Sequence, residues 1–131
     1  MKRNFLAIGL CLILLAAAIP ALAHHAISAE FDTTKPIKFE GTVKSVDWMN
    51  PHIYVNIEAK ENGKDVVYSV EGGPPNALFR QGWRPDSLKI GEKVQVSGVR
   101  AKKPESYRIG QAQITMPDGR IFARGGGNNQ Q

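Results

Sequence analysis

The chain carries three histidines and one cysteine, and their positions limit the chemistry open to it. His24 and His25 stand side by side, while His52 closes the corner Trp48-Met49-Asn50-Pro51-His52. If the chain is cut after Ala23, the new terminal amine belongs to His24. Its amine and imidazole then chelate one metal ion together, and a third nitrogen from another histidine completes a T-shaped set suited to copper. His52 is the better third ligand because Pro51 fixes the chain beside it. His25 is next to His24 and harder to bring to the same ion in that geometry. The plainer reading makes the terminal pair merely hydrophilic, and His52 a half-buried side chain bonded to the backbone. The single thiol, Cys11, lies in the segment that cleavage removes, so the mature chain has no thiolate ligand, cysteine nucleophile or disulfide.

The reason to expect that cut is the composition of residues 1–23. Lys2 and Arg3 precede an apolar run from Phe5 to Ala18, followed by Pro20 and Ala21-Leu22-Ala23. This is the three-part pattern of a secretory signal peptide, and the run is shorter than the ~20 residues of a spanning helix. The product is expected in the periplasm, with no membrane anchor after cleavage. The whole chain has 131 residues, 42% hydrophobic and 22% charged, which suits one globular domain. Losing Lys2 and Arg3 lowers the formal charge from +5 to near +3. That is too mild a basic excess for a nucleic-acid reader.

Residues 24–36 show no sustained period and read as an extended lead-in, with Phe31 expected to pin it to the domain. From Ile37 the pattern is that of strands. Ile37, Phe39 and Val43 share one parity and Val46 and Trp48 the other, so a bulge or bend is expected between Gly41 and Ser45. The second strand puts Ile53, Val55, Ile57 and Ala59 inward and His52, Tyr54, Asn56 and Glu58 outward. Asn62-Gly63 is a hairpin turn leading into a third strand with Val66, Tyr68 and Val70 on one side. Pro74 to Gln81, stopped by Gly82, reads as a short helix, with Leu78 and Phe79 expected to plug one end of the fold. Strands follow at Val94–Val99 and around Ala112, Ile114 and Met116, and Arg120 to Arg124 returns as a short edge strand after Pro117-Asp118-Gly119. The expected fold is all-β, a small five-stranded OB-fold-like Greek-key barrel over residues 37–124 with one short helix between the third and fourth strands. Residues 125–131 have nothing apolar to bury and read as a disordered tail.

A ligand face is expected around the second strand, with Tyr54, Asn56, Trp48, Trp83 and Arg108 as candidate contacts for a small ligand or a periplasmic protein. The plainer reading makes the two tryptophans core residues and the polar side chains a solvated face. The sequence shows no nucleophile elbow, phosphate loop or clustered carboxylate pair, so a binding protein is the reading preferred to an enzyme.

The chain also resembles a family of small exported bacterial proteins catalogued only as a domain of unknown function. The motifs that carry the resemblance are His24-His25 followed by Glu30-Phe31-Asp32, Gly41-Thr42-Val43, Trp48-x-Asn50-Pro51-His52, Pro75-Asn76-x-Leu78-x-Arg80-x-Gly82-Trp83 and Asp118-Gly119-Arg120. The resemblance implies export and a single small β domain, and it brings no activity with it.

Overall fold

The computed structural model describes residues 28–123. The leader, His24, His25 and the tail at 125–131 therefore lie outside the described residues. Contacts divide the chain between Glu30 and Phe31, and every strand described below lies after that division.

The strands are β1 (Phe31–Asp47), β2 (Tyr54–Glu61), β3 (Lys64–Glu71), β4 (Lys93–Ala101), β5 (Arg108–Thr115) and β6 (Ile121–Ala123), with one helix, α1 (Pro75–Arg80), between β3 and β4. Their order in the sheet is β3-β2-β1-β4-β5-β6. β3 also pairs in parallel with β5, Ser69 facing Arg108 and Val70 facing Ile109, which closes five strands into a ring. This is the expected small barrel with its helix between the third and fourth strands, and β6 hangs on its edge through β5.

β1 makes the ring possible by belonging to two ladders. Phe31 to Thr42 pairs with β4, and Thr42 to Asp47 pairs with β2. The change of partner needs a close approach at Gly41, where a Cβ would lie 2.5 Å from Ile57 Cγ2 and 2.6 Å from the Glu58 carbonyl oxygen. The expected bulge follows at once, as a register shift between Val43 and Ser45 that leaves Lys44 unopposed. At the other end of β2, Asn62 and Gly63 both take positive φ, and β2 pairs with β3 in an unbroken ladder from Glu61–Lys64 to Tyr54–Glu71.

Val43, Ile53, Val55, Ile57, Val70, Leu78, Val94, Val96 and Ile114 form the core as expected, and Val46 packs against it half-buried. Two expectations change. β1 begins at Phe31 instead of Ile37, because Phe31 already pairs with Ala101 across a shift that runs to Pro36. Phe79 does not plug the barrel and is 43% exposed. α1 is a six-residue helix whose one inward position is Leu78. The next residue is turned by about 100° and points out, where Phe79 meets Trp48 edge to face, ring centroids 5.4 Å apart.

Candidate functional site

The corner before β2 is stitched to the end of β3 beyond the strands themselves. Ile53 donates its N–H to Gly73 O at 3.1 Å, and Gly72 donates back to Ile53 O at 2.7 Å. Gly72 is close-packed here, since a Cβ on it would lie 3.0 Å from the Phe122 ring and 3.2 Å from that same carbonyl. The chain turns into the corner through a cis Asn50–Pro51 bond. His52 stands just before β2, one residue from the buried Ile53 and two from Tyr54.

Tyr54 faces Glu71 across the β2–β3 ladder, and this brings the last residue of β3 under His52. His52 Nδ1 lies 2.8 Å from Glu71 Oε1, with the imidazole 33% exposed and the carboxylate side chain only 8%. A carboxylate so deeply covered is costly unless paired. Its other oxygen, Oε2, lies 3.6 Å from Arg108 Nη2, which arrives on β5 through the parallel seam. Arg108 donates to the Tyr54 hydroxyl at 3.1 Å and covers two rings, Tyr54 at 5.3 Å and Phe31 at 5.9 Å. The result is one connected row of His52, Glu71, Arg108 and Tyr54. When neutral His52 donates its Nδ1–H in a hydrogen bond to Glu71, its Nε2 lone pair is left to bind a metal ion or to accept a hydrogen bond. Among the described residues Nε2 takes no partner.

The other candidates are distributed differently. Asn56 spends both amide hydrogens on β1, donating to Ser45 Oγ and Asp47 Oδ2 at 2.9 Å each. Trp48 is half-buried against Phe79 on the far side of the corner. Trp83 lies in the core, edge to face with Phe122 at 5.0 Å, under Arg120. Of the residues named from sequence, the fold thus gathers His52, Tyr54 and Arg108. Glu71 joins them unannounced. Among the described residues no three His, Cys, Asp or Glu side chains converge as a metal cluster, and His24 and His25 lie outside that range.

A concavity of about 860 Å³ opens at the far end of β2 over Gly41, Ala59, Val94 and Met116. Several of its rim charges are paired: Lys60 with Asp65 at 2.7 Å and Glu58 with Lys44 at 3.3 Å, while Glu40 accepts from Gln95 at 2.9 Å. It contains no histidine.

A family model matches residues 12–110, a stretch that holds His24, His25, the corner, Glu71 and Arg108. The chain belongs to the family of unknown function DUF6152. The match spans β1 to β4 and the start of β5, so it contains both ladders of β1 and the parallel seam, and leaves out β6. No curated protein and no solved structure matches the chain.

Proposed function

We propose that this is an exported β-barrel protein that binds copper(II) through the His24 amine, the His24 imidazole and His52 Nε2. The observation that carries the proposal is the 2.8 Å contact between His52 Nδ1 and the buried Glu71 carboxylate. Metal-binding histidines almost always donate their second ring N–H to a carboxylate or carbonyl, which fixes the tautomer and aims the free nitrogen. His52 has that arrangement with no metal needed to explain it. Three nitrogens without a thiolate suit copper(II), and each must be deprotonated to bind. The test is a copper titration followed by electron paramagnetic resonance on three proteins: one starting at His24, one with a single extra residue ahead of His24, and His52→Ala. Binding lost in both variants supports the site; identical spectra and affinities in all three sink it.

A second reading draws on the Arg108–Tyr54 bond, which builds a cation-and-aromatic surface beside His52. On that reading the corner binds a small ligand or a periplasmic protein without metal. Pull-down from a periplasmic extract with and without a chelator separates the two: capture that survives the chelator and is lost in Tyr54→Ala favours the second.

A further inference from the structure

The concavity at the far end of β2 is of the size that takes small organic molecules, about 860 Å³. Two cross-strand rows line it. Glu58 on β2 faces Thr42 on β1, which faces Lys93 on β4. Glu40 on β1 faces Gln95 on β4, which faces Thr115 on β5. Within the rows and beside them, Glu58 is paired with Lys44 and Lys60 with Asp65, so two charges are left unneutralised. The Lys93 ammonium has no partner among the described residues, and the Glu40 carboxylate accepts from the neutral amide of Gln95 at 2.9 Å. Both side chains are exposed. They are diagonal neighbours on the β1–β4 ladder, about 7–8 Å apart at the backbone, and do not pair with each other. The hydroxyls of Thr42 and Thr115, on half-buried residues between and beside them, also have no partner among the described residues.

This set narrows the chemistry of an occupant. A single unneutralised cation beside a single unneutralised anion does not suit a polyanion. No aromatic side chain lines the concavity, so it offers no cage for a quaternary ammonium. A molecule that carries one charge of each sign and an apolar body fits what remains. We propose that the concavity binds a dipeptide with apolar side chains. The peptide ammonium meets Glu40, its carboxylate meets Lys93, and the Thr42 and Thr115 hydroxyls serve its amide. Its side chains lie over Val94 and Met116. Two extended residues span about 7 Å, which matches the diagonal between Glu40 and Lys93. The site uses neither His52 nor Glu71 and stands apart from the copper reading.

The experiment titrates leucyl-leucine, its N-acetyl form and its C-terminal amide into the isotope-labelled protein and follows the backbone amide signals. Leucyl-leucine is expected to shift Gly41, Ala59, Val94 and Met116 saturably while Val55 and Val70 stay in place. Each cap should weaken binding by about fivefold, the scale of one exposed ion pair. In Glu40→Gln the acetyl cap should cost nothing further, and in Lys93→Gln the amide cap should cost nothing further. His52→Ala should bind the dipeptide as the parent does, whether or not it has lost copper. Absence of a saturable shift at the four amides overturns the site. Equal affinity for the capped and uncapped peptides, or caps that cost the variants as much as they cost the parent, overturns the assignment of the two charges. Loss of dipeptide binding in His52→Ala places the site elsewhere and overturns it as well.

Discussion

His52 Nδ1 and Glu71 Oε1 sit 2.8 Å apart at the end of the barrel, one side chain open to solvent and the other almost wholly covered. If the pair exists to aim Nε2, Glu71→Gln should weaken copper(II) binding by about 10- to 100-fold while the fold survives, because glutamine keeps the shape and loses the charge. Isothermal titration beside a far-ultraviolet circular dichroism spectrum checks both halves. Unchanged affinity would mean that Glu71 serves the barrel alone.

Cleavage between Ala23 and His24 is the condition for the amino-terminal chelate. Intact-mass analysis of the protein recovered from the periplasm is expected to give a chain that begins His24-His25. A product retaining residues 1–23 would remove both the compartment and the terminal amine.

Leu78 and Phe79 are neighbours with opposite roles. Leu78→Ala should cost about 2–5 kcal/mol, since it leaves a cavity in the core. Phe79→Ala should cost about 1 kcal/mol or less, because only the edge contact with Trp48 and the Arg84 cation at 4.7 Å are lost. Urea denaturation of the two variants distinguishes them. Equal losses would place Phe79 inside the barrel after all.

Val55 is fully buried on β2. Val55→Asp is expected to cost several kcal/mol by burying an unpaired charge or expelling the strand. A variant with the parent's urea midpoint would reverse the faces of β2.

Tyr68 gives the fold an alkaline limit. Burial first, and then the bond its hydroxyl donates to Glu61 at 3.0 Å, raise the phenol above its ordinary value of 10.0. The unfolded phenol ionises near 10 and the folded one higher. The contribution is therefore complete below the unfolded value and is lost as pH rises through the folded one. Comparing urea midpoints at about pH 8 and about pH 11, the parent should lose more stability than Tyr68→Phe. Equal losses would show that the phenol is not protected.

The barrel was legible because its signals are local. Alternation gave the faces of β2, Asn62-Gly63 gave the hairpin, and the parity change around Lys44 gave the bulge. Glu71 was legible too, by counting: a two-residue turn that sets Glu61 opposite Lys64 sets Tyr54 opposite Glu71, on the face that carries His52. As the last residue before Gly72-Gly73 it looked like the end of a strand and nothing more. Arg108 could not be counted in this way. Its neighbour on β3 is fixed by a crossover through α1 and β4, where no turn sets the register. Phe31 was legible as an anchor, but the start of β1 there was not, since residues 32–35 leave the ladder and erase the period that would have tied it to the strand.

The parallel seam between β3 and β5 has a consequence for how the barrel breathes. It is held by two register pairs and by Ser69 donating to Tyr107 O at 3.0 Å, whereas β1 is paired with β4 over its first part and with β2 over its second. Regions with few backbone bonds open at lower free energy than the whole fold, so the amide of Ser69, which donates across the seam, should exchange with deuterium ahead of those of Val43 and Val96. Glu71 and Arg108 face each other across that seam. Opening it would part the two charges and leave the buried Glu71 carboxylate to its contact with His52.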